Sequence, residues 1–168
     1  MSDAVRVRVL SVDDAQAVRG LRLEGLRLHP QSFGSAWEEE AVHPLTWWRD
    51  RLAGPARWLG AEIDGELVGL TVVSLNPRMK HAHSADIGAV YVRERFHRRG
   101  VAHALMQSAM EYLKTNRALY ATLTVGAEND AARRLYERFS FVACGQLERE
   151  LNVDGRFHDE LLMRTRIL

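Results

Sequence analysis

The stretch Val90-Tyr91-Val92-Arg93-Glu94-Arg95-Phe96-His97-Arg98-Arg99-Gly100-Val101-Ala102 decides the fold. It begins as a β-rich run, passes through a charged turn and becomes a helix at Gly100. The helix continues to Met110 with apolar residues at helical spacing. Its first backbone N–H groups have no intrahelical partner and carry the positive end of the helix dipole. Arg95, Arg98 and Arg99 add positive charge beside them. This combination predicts an anion site, and the ligand it suggests is a phosphorylated cofactor lying across the helix start. From spacing alone, the same residues also fit a glycine helix start next to a solvated turn.

Upstream of this stretch, Val5, Val7 and Val9 alternate with Arg6 and Arg8, the pattern of a half-buried strand over 4–10. Ser11-Val12-Asp13-Asp14 offers capping oxygens to a helix that runs to His29-Pro30, with Arg19, Arg22 and Arg27 on its wet face. Glu38-Glu39-Glu40 opens a short helix, and Leu45–Leu52 forms a second one, broken by Gly54-Pro55. Asp64-Gly65 joins strands 57–63 and 66–75 in a hairpin, and 85–92 is the strand that feeds the opening stretch. Downstream, the helix runs to about Asn116, 119–125 is β-rich, and Asn129 caps a helix through about Phe139. Asp154-Gly155 joins two long final strands, 141–153 and 157–167. The order is a mixed α/β pattern of hairpins with a βαβ crossover in its second half.

At 168 residues the chain fits one domain, 1–168. Hydrophobic content of 46% and charged content of 27% are those of an ordinary soluble globule. A formal net charge of +1 gives no bulk case for nucleic acid or membrane partners. Cys144 is the only cysteine, so neither an intrachain disulfide nor a cysteine metal cluster is available. Its expected place is a small buried site. His81 and His83 lack a third ligand in sequence, and no metal is expected. The N-terminus lacks the apolar core of a signal peptide, and no apolar run reaches membrane-spanning length, so the expected compartment is the cytoplasm.

Two motifs resemble those of the GCN5-related N-acetyltransferases, the GNAT family. His97-Arg98-Arg99-Gly100-Val101-Ala102 is similar to the family's pyrophosphate loop, Gln/Arg-x-x-Gly-x-Gly/Ala, departing from it at His97. Asn129-Asp130-Ala131-Ala132-Arg133-Arg134-Leu135-Tyr136-Glu137-Arg138-Phe139-Ser140-Phe141 is similar to Asn-x-x-Ala-x-x-Leu-Tyr-x-x-x-Gly-Phe, with Ser140 replacing the glycine. The resemblance covers nearly the whole chain. The segments 21–40 and 153–163 look like a bacterial branch acting on small molecules and amino acids. It implies a single mixed, mostly antiparallel sheet of about seven strands flanked by about four helices. Its central parallel pair would splay so that Val90–Val92 faces Leu123–Val125.

The resemblance also implies a reaction, transfer of an acetyl group from acetyl-CoA to a primary amine by direct attack in a ternary complex. Backbone N–H groups around His97, Arg98, Arg99, Gly100, Val101 and Ala102 would hold pyrophosphate. Val90, Tyr91 and Val92 would orient pantetheine, and Asn129 and Ala132 would contact the cofactor. A free aliphatic amine, with a pKa of roughly 10, must lose a proton before it attacks. Tyr136 is the expected general acid toward the departing sulfur, although as pattern alone it also fits a core tyrosine on an amphipathic helix. Asp86 is the first candidate base. It shares a face with Val92 if the strand is unbulged, whereas a one-residue bulge would turn it away and bring Ile87 in. Glu38, Glu39, Glu40 and Glu160 are the other acidic candidates. Phe33, Glu38 and Glu160 are expected to bind the acceptor, a small amine such as an amino acid. Two rival readings are acetylation of a protein N-terminus or lysine, and a non-catalytic acyl-CoA-binding module. A closed pocket lined by residues of 33–48 and 147–160 would favour small molecules. A homodimer is compatible with the fold.

Overall fold

The structure, a computed structural model, describes residues 4–168. Strand β1 (Arg6–Val9) leads through a tight turn into helix α1 (Ala15–Leu28). Ser11 holds that turn in a reciprocal cap, its hydroxyl accepting from the Asp13 N–H while its own N–H donates to Asp14. Two short helices follow, α2 (Trp37–Ala41) and α3 (Leu45–Ala53). Then come strands β2 (Arg57–Ile63), β3 (Glu66–Leu75) and β4 (Ser84–Val92). Helix α4 (Val101–Thr115) crosses over to β5 (Tyr120–Gly126), and helix α5 (Asp130–Glu137) leads to the final hairpin, β6 (Val142–Val153) and β7 (Arg156–Arg166).

The seven strands form one sheet in the order β1-β2-β3-β4-β5-β7-β6. Every neighbouring pair is antiparallel except β4 and β5, the parallel pair joined by α4. This is the mixed sheet that the resemblance implied. Both predicted two-residue turns form. Asp64 and Gly65 have φ of 51° and 79°, and Asp154 and Gly155 have 51° and 84°, the left-handed pair that matches strand twist in a hairpin.

Apolar side chains cover both faces of the sheet. On one face α4 packs Leu105, Met106, Ala109 and Leu113 against Val68, Ile87, Val92 and Leu123. On the other, α1 and α3 pack Val18, Leu21 and Trp48 against Trp58, Leu70 and Tyr91. The first cluster continues under α5 to Tyr136 and Phe141.

Three sequence expectations are corrected. Arg22 does not lie on a wet face. Its guanidinium donates twice to Glu40, at 2.7 and 3.0 Å, and both side chains are 11% exposed. Glu40 is therefore a buried partner that ties α2 to α1, not a solvated helix start. Its burial alone would raise the carboxyl pKa, but the hydrogen bonds and charge of Arg22 outweigh that and hold it below the ordinary value. Cys144 is exposed because β6 is an edge strand whose residues are open to solvent along most of its length. Among the described residues no helix is long and apolar enough to cross a membrane.

Candidate active site

The site is built around the place where β4 and β5 part. Their pairing ends at Asp86 with Thr122, so the last residues of β4 have no strand beside them on that edge. Arg93 N–H donates to the Val68 carbonyl at 2.9 Å and Gly69 pairs with Val92. In an antiparallel ladder, that alternation turns the N–H and C=O of Val92 away from β3 and into the gap. The chain then turns through a short helical turn, Glu94–Phe96, before reaching α4.

Arg98 and Gly100 take left-handed conformations in this turn, with φ of 59° and 79°. Gly100 is the N-cap of α4, and no side chain caps the helix. Its N-terminal N–H groups therefore stay available to an anion. A Cβ built on Gly100 would meet nothing within 4 Å, so the space over the helix start is open. The strand end is fixed from the α1 side. Tyr91 packs its ring on Gly25, where a Cβ would sit 3.0 Å from the ring, and its hydroxyl donates to Glu24 at 3.0 Å. Burial first, and then the Glu24 carboxylate, push that phenol up. Arg93 bonds the other Glu24 oxygen at 3.0 Å and also pairs with Glu66, which in turn holds Arg95.

A cavity of about 670 Å³ runs from the β4 edge over the α4 start to α5. Val90, Tyr91, Val92, His97, Arg98, Gly100, Val101 and Ala102 line one side, and Asn129, Ala132 and Tyr136 the other. The Arg99 guanidinium sits over the Phe96 ring at 5.2 Å, and its side chain does not line the cavity. Asn129 caps α5, its side-chain oxygen accepting from the Ala132 N–H at 3.1 Å. Tyr136 is 7% exposed, and burial pushes its phenol up to about 12. The C-terminus of α5 closes with two bonds, Phe141 N–H to the Tyr136 carbonyl and Ser140 N–H to that of Glu137. Ser140 takes the left-handed conformation this closure needs, at φ 62°. That is the physical reason a glycine suits the position, and why serine there is strained.

Asp86 requires a correction. The register between β3 and β4 slips between Leu70 and Val72, with Ala89 at φ 53°, so the strand carries one extra residue. Ala85, Ile87, Val90 and Val92 face α4, and Asp86 is turned to the opposite face. There it lines a recess of about 180 Å³ with Arg22, Arg51, Trp58 and Ala89. Partial desolvation raises its carboxyl pKa although the side chain keeps solvent contact. Glu160 lies on that same face of the sheet, since Leu161 and Met163 pack into the α4 side. Burial and then repulsion from Glu150 raise its pKa.

Phe33 lines the large cavity and also a second one, of about 630 Å³, between residues 26–38 and the hairpin tip. Glu38, Glu150 and Asp154 line this second cavity with Arg27. Arg22 sits over the Phe33 ring at 5.0 Å, so the buried Arg22–Glu40 pair also places Phe33. The sequence reading missed several cavity residues, Arg138 and His103 among them. Arg138 shares the α5 face of Ala131 and Leu135, and His103 sits one turn after Gly100, so helical spacing carried the signal for both.

The large cavity fits an elongated phosphorylated thioester such as acetyl-CoA. It has an open cradle of uncapped N–H groups at one end and, at the other, a strand edge facing a protonated phenol. The model of the Acetyltransferase (GNAT) family matches residues 23–141. The L-amino acid N-acetyltransferase AaaT of Escherichia coli (strain K12) is 29% identical over 170 residues, covering 97% of this chain and 98% of that protein. The mycothiol acetyltransferase of Acidimicrobium ferrooxidans is 35% identical over 111 residues, covering 63% of this chain and 34% of that protein. Among solved structures, a GNAT-family acetyltransferase of Streptococcus pneumoniae superposes with a TM-score of 0.87 at 22% identity, over 98% of this chain and 100% of that one. The yncA protein of Salmonella typhimurium, solved with its cofactor acetyl-CoA, superposes at 0.81 with 16% identity, over 98% of this chain and 95% of that one. The uncapped helix start, the parted strands and the family match agree: the chain belongs to the GNAT family and is an acetyl-CoA-dependent N-acetyltransferase.

Proposed function

We propose that the enzyme acetylates the primary amine of a small molecule, an amino acid or a related metabolite, by direct attack in a ternary complex. The observation that carries this reading is the second cavity. Residues 26–38 and 150–154 wall it, and Phe33 is common to it and to the coenzyme cavity. Its three carboxylates outnumber its one guanidinium, which draws an ammonium-bearing acceptor. At about 630 Å³ it is of small-molecule size. The similarity to an L-amino acid N-acetyltransferase along almost the whole chain supports the same acceptor class.

Bound in the coenzyme cavity, acetyl-CoA supplies an acetyl group on a thioester. The α4 start holds the pyrophosphate, with Arg98 beside it. Backbone N–H groups near Val92, at the unpaired end of β4, would donate to the thioester carbonyl oxygen as negative charge develops there. Tyr136, at about 12, stays protonated and donates to the departing sulfur. A thiol ionises near about 8.5, so full transfer from this phenol runs uphill. Tyr136 therefore stabilises the thiolate and relays the proton that the amine gives up. Asp86 lies four strand residues, about 13 Å, from Val90, too far for direct transfer. It assists amine deprotonation through water in its recess on the α1 side.

The test is acetyl-CoA consumption over a panel of amino acids, polyamines, aminoglycosides and peptides, with the product weighed by mass spectrometry. Turnover of amino acids or other small amines is expected, with intersecting initial-velocity lines. Turnover of peptides alone would refute the reading.

A further inference from the structure

The acceptor's ammonium must lose a proton before it attacks, and Asp86 reaches it only through water. The recess that holds Asp86 shares no wall residue with the coenzyme cavity. Among the described residues no carboxylate lines the coenzyme cavity, so the neutral proton acceptors in its wall are imidazoles. His97 lies in the pyrophosphate loop, its Nε2 2.7 Å from the Val92 carbonyl oxygen, and His103 is on α4 with its ring against Phe139. His29 is on the acceptor side. It ends α1, and its ring centroid is 6.1 Å from that of Tyr91 on β4. Pro30 and Phe33, just after it in the chain, wall the second cavity, and Phe33 belongs to the coenzyme cavity as well. His29 also lines a smaller cavity of about 340 Å³, which shares Ser32 and Asn129 with the coenzyme cavity. Negative charge meets the ring from two directions. Glu94 Oε1 lies 3.3 Å from its Nε2, and the C-terminal end of the α1 dipole lies behind it.

We propose that His29 is a catalytic residue, the group that takes the proton of the acceptor's ammonium where the second cavity meets the coenzyme cavity. The proposal rests on the acetyl-transfer reading above. An N–H bond of the ammonium breaks, the proton joins an imidazole nitrogen, and the freed amine attacks the thioester carbon. The imidazolium, offset by Glu94 and the helix end, then gives its proton to solvent by way of the smaller cavity. The nitrogen's second proton, released as the amide forms, is the one that Tyr136 relays to the sulfur. One ammonium and one thioester thereby become one amide, one thiol and one proton in solvent. The titratable groups facing the ring are Tyr91 from β4, Glu94 from the turn after it, and Glu128, His158 and Asp159 across the smaller cavity.

Two variants test the role. His29→Gln removes the basic nitrogen and keeps a side chain of similar reach, while His29→Ala leaves room for free imidazole. The wild-type side chain is 30% exposed, so both variants should fold, which unfolding temperature checks. With the best acceptor of the panel, H29Q should lose about a hundredfold in kcat/KM for that acceptor at neutral pH. Its rate should climb with pH and approach wild type where solvent alone deprotonates the amine. Added imidazole should raise formation of the acetylated acceptor severalfold in H29A and leave H29Q unchanged. A constant ratio of H29Q to wild type at every pH, a loss confined to the KM for acetyl-CoA, or an H29A that imidazole fails to raise would each overturn the proposal. Absence of wild-type turnover with every amine in the panel would overturn the acetyl-transfer reading itself. Wild-type turnover with an indifferent H29Q would remove only the role of His29.

Discussion

The two faces of β4 are built in different ways. On the α4–α5 face, the coenzyme cavity comes mostly from two contiguous segments, 90–102 and 129–138, each a strand or loop leading into a helix, with His29, Ser32 and Phe33 at its border. On the α1 face, the recess and the second cavity come from residues far apart in sequence. Arg22, Arg51 and Asp86 meet in one, and residues 26–38 meet 150–154 in the other. A donor gripped mainly through its pyrophosphate and arm suits a site made by local geometry. An acceptor that varies suits a site assembled from separate elements, each free to change without unmaking the donor grip.

That contrast can be broken first at the donor face. Tyr136→Phe removes the phenolic donor from a cavity wall while keeping the ring against Phe141, which lies 6.1 Å away between centroids. It should lower kcat by ~10²–10³-fold with the fold intact. An unchanged kcat and pH profile would remove Tyr136 from the chemistry. Asp86→Asn probes the other face. It should lower kcat/KM by up to about a hundredfold and move the rise of rate to higher pH. A pH–rate profile identical to wild type would place the base elsewhere.

The Arg22–Glu40 pair tests whether the acceptor face depends on long-range charge. Arg22→Met leaves a buried carboxylate unpaired and should cost ~3 kcal/mol of stability near neutral pH, read by denaturant unfolding. Because the Glu40 pKa is lowered in the fold, the pair's contribution is present above the carboxylate's unfolded value of about 4.5. It is lost as pH falls through the depressed folded value. The gap between wild type and R22M should therefore shrink in acid, and a gap independent of pH would show that packing, not charge, holds α2. The smallest effect belongs to the donor face again. Ser140→Gly relieves the left-handed strain at φ 62° and should add ~1 kcal/mol, raising Tm by ~2–4 °C without changing kcat. A lower Tm would mean that the serine side chain makes a compensating contact.

The same contrast explains what the sequence made legible. The succession of strands and helices along the chain, both Asp-Gly hairpins and the two helix starts rest on local periodicity, turn chemistry and capping, and all of them appear in the fold. Asn129 announced the start of α5 for the same reason. The face of Asp86 was not legible, because one extra residue at Ala89 reverses the parity of a strand and no composition signal marks it. Nor was the burial of Glu40, whose partner lies 18 residues away on another helix. The ring of His97 was read as a departure from a motif. Its partner, the Val92 carbonyl, became visible only once the two strands were seen to part.

The central claim is that the uncapped start of α4 grips the donor. Thermal unfolding of wild type and Gly100→Val with acetyl-CoA tests it most directly. At a hundredfold excess over Kd, the ligand should stabilise the wild type by ~2.7 kcal/mol. The same concentration should stabilise G100V far less, since valine at φ 79° distorts the helix start and fills the space above it. No shift in the wild type, or an equal shift in both proteins, would contradict the account.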